Sequence, residues 1–285
     1  MKTVLIVGCG DIGERLAGLC RQRNLPVTGL VRSADGVARL RRAGIEPIRT
    51  DLAQADAIDT LPTAGATVFH LAPPPRDGER DPLIRGFLSA IDGDALPERL
   101  VLLSTTAVYG DCGGDWIDET HPVAPQTARG LRRLDAEQAA RDWSARTGVP
   151  LVILRVGGIY GPGRLPIARI EKGLPILREA ESPFTNRIHQ DDLAQVCLAA
   201  AERGRPGEVY NVSDGRPGTM SRYFKDIARA RGLPLPPEVS LAEAERVMSA
   251  GMLSYLKESR RLANDKMLRE LGVVLRYPDL AAGLR

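Results

Sequence analysis

The sequence has few of the side chains that bind metals or form covalent cross-links. Its cysteines and histidines are scattered along the chain: Cys9, Cys20, His70, Cys112, His121, His189 and Cys197. No Cys-x-x-Cys pair occurs, so neither a zinc site nor a disulfide framework is encoded. We therefore expect reduced, mostly buried thiols and no metal.

Long apolar runs and strong charge imbalance are also missing. The first apolar stretch, residues 3–7, ends at Gly8 and is far shorter than the roughly 20 residues of a membrane-spanning helix. The net charge is +3, only 4% of residues are aromatic, and the basic residues are spread along the chain. This pattern argues against a membrane or nucleic-acid partner and favours a cytoplasmic protein that acts on a small molecule.

Short β-branched runs alternate with amphipathic segments of helical length through the first two-thirds of the chain. The runs are residues 4–7, 27–31, 46–49, 67–71, 100–103 and 151–156. Such alternation predicts right-handed crossover units and a parallel sheet. Between the first two runs Ile12, Leu16 and Leu19 recur at helical spacing, which completes one βαβ unit.

The pattern changes after residue 155, where prolines and glycines interrupt the chain up to residue 187. Residues 190–203 are again helical in pattern, and 208–212 resemble a strand. We expect an α/β fold, a Rossmann doubly wound parallel sheet formed by residues 1–155 and about 188–215. Residues 156–187 and 216–285 are predicted to form a smaller, mainly helical C-terminal lobe that binds the substrate.

A glycine loop follows the first strand and opens the first helix. It consists of Gly8, Gly10 and Gly13 with Asp11 and Ile12 between them. The first glycine permits a tight turn, the second lets the backbone approach a pyrophosphate, and the third lets helix and strand pack closely. This placement predicts that all five residues contact a dinucleotide.

The end of the second strand bears on the choice of cofactor. Arg32 could pair with the 2′-phosphate of NADP(H), with Ser33 as a neutral donor. The alternative is a solvated Arg32 with Asp35 on the ribose of NAD(H). We favour NADP(H), with NAD(H) as the alternative.

Seven landmarks in order resemble the extended short-chain dehydrogenase/reductases, which include nucleotide-sugar epimerases and dehydratases. They are the glycine loop, Thr50-Asp51-Leu52, and residues 68–72, 104–110, 154–163, 187–193 and 209–212. The chain is similar to the NAD-dependent epimerase/dehydratase branch of that superfamily over nearly its whole length.

The resemblance implies further cofactor contacts. Asp51 and Leu52 would contact the adenine, and Leu71 and Ala72 would line the cofactor cleft. Three residues, Gly157, Gly158 and Ile159, would flank the nicotinamide. Ser104, in the landmark after the fifth strand, would also contact the cofactor. Each also has an alternative role in packing at a strand end.

The sequence departs from the family at its catalytic residues. The family uses a Ser or Thr, here Thr105, and a Tyr-x-x-x-Lys pair in which Lys lowers the Tyr pKa. Alignment of the helix places Arg129 at the Tyr and Arg133 at the Lys. A guanidinium cannot exchange protons near neutral pH, so this pair cannot perform the family's proton transfer. Position 7 is also valine where the extended family prefers glycine.

Two functional interpretations follow. The first is an atypical oxidoreductase or epimerase, in which Thr105 holds a substrate oxygen while Arg129 and Arg133 anchor an anionic substrate or stabilise an oxyanion. A solvated basic helix face is the alternative for the two arginines. The second interpretation is a non-catalytic sensor that binds the nicotinamide cofactor and signals to a partner.

Other features carry less weight. His189, with Asp191 and Asp192, is interpreted as a structural histidine beside helix-capping carboxylates rather than a catalytic or metal site. Residues 164–186 and 220–256 should form the substrate pocket, but they do not identify the substrate. Since the family often dimerises through helices, a homodimer is an open expectation.

Overall fold

The computed structural model describes residues 1–53, 61–91 and 93–285. Its strands are β1 (Val4–Val7), β2 (Val27–Val31), β3 (Glu46–Arg49), β4 (Thr67–His70), β5 (Arg99–Thr105), β6 (Trp116–Ile117), β7 (Leu151–Val156), β8 (Gly158–Tyr160), β9 (Ile176–Leu177), β10 (Phe184–Thr185), β11 (Arg187–His189), β12 (Val209–Val212), β13 (Gly218–Thr219), β14 (Glu238–Val239) and β15 (Arg261–Leu262).

Helices connect these strands along the chain. They are α1 (Asp11–Arg21), α2 (Ala34–Arg42), α3 (Pro82–Ser89), α4 (Ala128–Thr147), α5 (Ile167–Glu171), α6 (Gln190–Arg203), α7 (Met220–Ala230), α8 (Leu241–Val247), α9 (Ala250–Leu256), α10 (Asp265–Leu271) and α11 (Leu280–Leu284).

Seven strands form one parallel sheet in the order β12-β7-β5-β4-β1-β2-β3. This confirms the predicted Rossmann fold. The order reverses direction at β1, and β1 lies between β2 and β4. In open parallel sheets, ligands bind outside the carboxyl ends of the strands at such a switch point. The predicted strand runs and the helix over residues 190–203 agree with the structure to within a few residues.

Two apolar cores cover the two faces of the sheet, because successive side chains of a strand point to opposite faces. Val4 and Ile6 of β1 belong to the core that includes Leu16 of α1 and residues of α6. Leu5 and Val7 belong to the core formed with α3 and α4. The β1 strand is therefore fully buried, as its continuous apolar run indicates.

The second half of the chain adds short paired strands and helices beside the sheet. A separate apolar cluster there includes Ile176, Phe224 and Ile227. By contrast, Met267 and Leu271 of α10 belong to the core on the α1 and α6 side of the sheet. Residues 216–285 thus contribute to both apolar clusters. The division of the chain into two lobes remains a prediction.

The described residues also bear on the expectations for thiols, metal sites and membrane-spanning helices. All four cysteines are free, and Cys112 alone among them is not fully buried. Burial raises the pKa of the Cys9 thiol to about 12. Within the described residues there is no cluster of side chains that could hold a metal ion. No helix in those same ranges is both long and apolar enough to cross a bilayer.

Candidate functional site

The glycine loop lies at the carboxyl end of β1. Gly8 has φ of +82°, and a Cβ atom there would lie 2.6 Å from the Cα of Ala72. Gly13 faces Ile6 and Cys9, whose atoms would each lie 3.1 Å from an added Cβ. Packing therefore explains the lack of a side chain at both positions. Gly8 makes a tight turn against the end of β4, and Gly13 lets helix and strand approach closely.

Gly10 differs from the other two glycines of the motif. It precedes α1 and provides no side-chain cap for the helix. Apart from its own chain neighbours, no atom of the described residues lies within 4 Å of a Cβ built on Gly10, so packing among those residues does not explain why a side chain is missing there. The first-turn N–H groups of Asp11, Ile12 and Gly13 lie beside this space, which is the arrangement that binds a phosphate.

Asp11 bridges the loop to two arginines. Its carboxylate accepts from Arg15 at 2.9 Å within α1 and from Arg164 at 2.7 Å, which comes from the segment after β8. Partial burial opposes ionisation, yet hydrogen bonds from Arg164 and Arg15 lower the pKa of Asp11. Arg164 therefore lies across the mouth of the cleft, and the negative charge beside the phosphate position is neutralised.

The end of β2 places Arg32 at the same edge of the sheet. Arg32 is exposed and no carboxylate in the described ranges pairs with it. The Ser33 hydroxyl caps α2 by accepting from the Gly36 N–H at 3.1 Å, which leaves its own proton free to donate. Both side chains thus offer hydrogen-bond donors at this edge of the sheet.

The predicted adenine and cleft residues lie on neighbouring strand ends. Asp51 and Leu52 follow β3 and are half-buried, and the Asp51 carboxylate accepts from the Ala53 N–H at 3.1 Å. Leu71 and Ala72 follow β4 and are 8% and 7% exposed. Parallel register aligns these ends with the glycine loop, since Val7 is opposite His70.

Ser104 and Thr105 end β5 but have different environments. The Ser104 hydroxyl donates to Glu137 at 2.6 Å, and Arg155 donates to the same buried carboxylate at 2.8 Å and 3.1 Å. Thr105 is half-buried and its hydroxyl oxygen accepts from the Ala107 N–H at 3.5 Å. Ser104 is thus occupied by a structural network, whereas Thr105 faces the cavity described below.

A cavity of about 470 Å³ opens between the sheet edge and the C-terminal helices. The sheet side contributes Thr105, Gly157, Gly158 and Ile159. The opposite side comprises residues of both segments that the sequence analysis assigned to the substrate pocket: Arg164, Phe184, Thr185, Asn186, Met220, Tyr223 and Tyr255. The volume lies in the range of small-molecule sites.

Arg129 lines this cavity but is not solvated. Its guanidinium donates to Glu258 at 2.9 Å and to Ser254 at 3.2 Å, and stacks 3.7 Å over the ring of Tyr255. The side chain of Glu258 is 2% exposed and also accepts from Arg260 at 2.8 Å. The Arg129 guanidinium is therefore neutralised by a carboxylate of the C-terminal segment.

Arg133 points elsewhere, toward the cofactor cleft. It donates to the carbonyl oxygen of Ala72 at 3.4 Å, and it forms no ion pair with any residue of the described ranges. Burial lowers the pKa of its guanidinium. Although they are one turn apart on α4, the two arginines donate to different parts of the protein. The alternative of a solvated basic helix face is therefore wrong for both.

The structure gives His189 a structural environment. It is 2% exposed, its Nδ1 accepts from the Asp191 N–H at 3.2 Å at the start of α6, and its ring stacks on Tyr277 with centroids 3.7 Å apart. Asp192 accepts from the N–H groups of Arg276 and Tyr277, both at 2.8 Å. The histidine caps the helix, and Asp192 holds the C-terminal segment instead.

Sequence reasoning missed three residues of the site. Glu258 gave no signal because a single glutamate in a helical region has no diagnostic pattern. Arg187 was part of a landmark but was assigned no role, and Tyr223 was one residue within the predicted pocket segment. Only the folded chain brings these three side chains to one cavity.

The parallel sheet, the glycine loop and the cleft at the switch point define a Rossmann protein of the dinucleotide-binding class. The sequence matches the NAD dependent epimerase/dehydratase family over residues 4–213, and the chain belongs to that family. This confirms the resemblance inferred from the sequence landmarks.

Individual relatives span the whole chain. Protein YeeZ of Escherichia coli strain K12 is 30% identical and the alignment covers 98% of this chain and 97% of YeeZ. A 3-diazoavenalumate denitrifying reductase of a Streptomyces species is 27% identical over 99% of this chain and 98% of the reductase. A functionally unknown conserved protein from Silicibacter pomeroyi DSS has a similar structure, with a TM-score of 0.85, 33% identity, and coverage of 100% and 97%.

Proposed function

We propose that this protein is an NAD(P)-dependent oxidoreductase with a non-standard active site. The observation that carries the proposal is the cavity whose wall includes Thr105, Gly157 and Gly158, because those residues lie where the family's nicotinamide would end. A substrate in that cavity would lie beside the hydride position. The name of the Streptomyces relative, a reductase aligned with 99% of this chain, supports the same class.

The cofactor would lie along the carboxyl ends of the strands. The free N–H groups after Gly10 would bind the pyrophosphate, and Arg133 would contact the part of the cofactor that passes Ala72. Leu71 and Ala72 would line its path, and Asp51 and Leu52 the adenine end. When bound, the nicotinamide supplies or accepts a hydride.

The substrate oxygen would be held by Thr105. Its hydroxyl oxygen already accepts from Ala107, so its proton remains free to be donated to a carbonyl oxygen. Arg129 and Arg133 transfer no proton to that oxygen. Arg129 acts through its neutral pair with Glu258, which makes it a positioning residue for the cavity wall.

For the cofactor we propose NADP(H) over NAD(H). Arg32 is exposed at the end of β2 without a carboxylate partner in the described ranges, and Ser33 has a proton to donate. Asp35 lies one residue into α2 and stays the alternative ribose contact in NAD(H).

A cofactor sensor without turnover is the second candidate. It is favoured by Arg129, because the group that replaces the family's tyrosine is already bound by Glu258 and has no proton to exchange. Against it stands the open cavity, which a pure sensor has no need to keep.

The test is the oxidation of NADPH with a panel of small aldehydes, ketones and α-keto acids. We expect slow turnover with at least one compound, and a decrease of about 10²-fold in kcat for Thr105→Val, as for loss of an oxyanion donor. The control is Thr120→Val, since Thr120 is exposed and bonded only to Asp118 among described residues. NADPH binding without any oxidation across the panel would favour the sensor.

A further inference from the structure

The walls of the cavity carry more positive than negative charge. Among the described residues, four arginines and a single carboxylate line it, namely Arg129, Arg164, Arg187, Arg260 and Glu258. Arg129 and Arg260 share Glu258, and Arg164 is paired with Asp11. Among the four cavity arginines, Arg187 is therefore the one without a paired carboxylate in the described part of the chain.

Arg187 is half-buried and its guanidinium stacks 3.7 Å over the ring of Tyr223. It forms no ion pair in the part of the chain that the structure describes. Burial lowers the pKa of its guanidinium, although the residue stays charged in any accessible pH range. A half-buried cation without a paired carboxylate is only partly stabilised, and an anionic ligand would complete the pair.

The neighbouring acid does not fully compensate this charge. Asp214 interacts electrostatically with Arg187, but its carboxylate accepts from the Arg216 N–H at 2.9 Å rather than from Arg187. Burial raises the pKa of Asp214 to about 7, which weakens it as a counter-ion for Arg187. The charge on Arg187 therefore remains available to the cavity.

The position of Arg187 also fits a substrate. Arg187 is paired with Gly158 in the parallel register of β11 and β8, so one strand spacing, about 4.8 Å, separates its backbone from the predicted nicotinamide wall. Phe184, Met220 and Tyr255 supply apolar and aromatic surface nearby. A ligand with one oxyanion and an apolar body would match both features.

We propose that Arg187, stacked on Tyr223, is the anchor of an oxyanion subsite that binds the carboxylate or phosphate of a small ligand with an apolar body. This inference rests on the proposed function, since that ligand would be the substrate class. It also assigns the role of anion anchor to Arg187 rather than to Arg129, because Glu258 neutralises Arg129. A guanidinium carries several planar N–H donors, of which a carboxylate or phosphate can accept two.

The test measures equilibrium binding by calorimetry, with NADPH present and no turnover required. The probes are benzoate, phenyl phosphate and the neutral benzamide. We expect benzoate, phenyl phosphate or both to bind at least about tenfold tighter than benzamide, as a charge-assisted pair requires. Which of the two anions binds more tightly distinguishes a carboxylate from a phosphate ligand.

Variants connect the binding to Arg187. Arg187→Met should reduce the affinity for the preferred anion by about tenfold or more, and leave NADPH binding within about twofold. Arg187→Lys, which keeps the charge without the fork, should lie between. Arg222→Met is the matched control, because Arg222 is on α7 next to Tyr223 but its side chain is 71% exposed.

Several results would overturn the inference: no saturable binding of either anion, equal binding of benzamide, or unchanged anion affinity in Arg187→Met. If Arg187→Met does not fold, the comparison of benzoate with benzamide on the unmodified protein still decides. Failure of the proposed function would appear separately, as no NADPH binding by the unmodified protein or as no oxidation of NADPH with any compound of the carbonyl panel.

Discussion

The guanidinium of Arg129 lies 2.9 Å from the buried carboxylate of Glu258, and the two residues are 129 positions apart in the chain. This pair joins the helix that carries the family's catalytic positions to the C-terminal segment. The same carboxylate accepts from Thr127 at 3.0 Å and from Arg260 at 2.8 Å. Arg129 is thus part of a network around a buried carboxylate.

Glu258→Gln should be strongly destabilising, because it leaves two half-buried or buried guanidinium groups without their carboxylate. Breaking a buried ion pair from one side costs about 3–5 kcal/mol in the free energy of unfolding. Urea denaturation measures this directly. The exposed Glu245→Gln should change stability by less than about 0.5 kcal/mol. A loss below about 1 kcal/mol for Glu258→Gln would mean that the network contributes little.

Gly10→Ala separates a folding role from a ligand role. A Cβ atom at Gly10 would meet no atom of the described residues within 4 Å beyond its chain neighbours, so we expect unchanged stability. The same methyl group would occupy the predicted pyrophosphate space, so NADPH affinity should fall by about tenfold or more. Gly18→Ala, on the exposed face of α1, should raise stability by up to about 1 kcal/mol without affecting binding. Unchanged NADPH affinity in Gly10→Ala would remove the cofactor from this loop.

Arg133→Met tests the cleft-facing arginine. Because burial disfavours its charge and the described residues offer no ion pair, its removal should leave stability equal or slightly higher. NADPH affinity should fall, since the residue lies on the Ala72 carbonyl in the cleft. Fluorescence titration and urea unfolding measure the two effects. The exposed Arg146→Met, at the end of α4, is the control and should alter neither. A large loss of stability in Arg133→Met would assign the residue to packing.

His70 should make stability sensitive to acid. It is 1% exposed, neither ring nitrogen has a partner among the described residues, and burial lowers its pKa to about 3, with the charge of Arg133 adding to the shift. Between about pH 6.5 and pH 3 the unfolded chain binds a proton that the folded protein does not. The free energy of unfolding therefore falls as pH falls through that window.

His70→Leu should reduce this dependence by about 1.4 kcal/mol per pH unit within the window, while keeping the apolar contact with Phe87. Unfolding curves at several pH values measure the slope. The comparison variant is His121→Gln, which lies outside the sheet. An identical slope in the protein and in His70→Leu would show that His70 is protonated in the folded state.

The sheet could be predicted because its strands are buried on both faces. Runs such as 4–7 and 100–103 are apolar throughout, and glycine, proline and asparagine occur in the segments between the strands. The glycine loop could be predicted because its spacing is a short motif between the first strand and the first helix, in which Gly8 and Gly13 serve local geometry. Both signals are contained in short stretches of sequence.

The substrate side could not be predicted in the same way. The side chains of Arg129, Arg187 and Tyr223 have meaning only through partners on distant elements, and periodicity does not encode those contacts. Ser104 shows the opposite effect. Its place in a landmark predicted a cofactor contact, yet its hydroxyl is taken by Glu137. That predicted contact with the cofactor remains untested.

The most direct test of the account is a titration of the purified protein with NADPH and with NADH, followed by nicotinamide fluorescence and repeated with Arg32→Asp. We expect saturable binding of NADPH, weaker binding of NADH, and loss of that preference in Arg32→Asp, because the exposed guanidinium at the end of β2 would pair with the 2′-phosphate. Absence of binding by either cofactor would contradict the account at its centre.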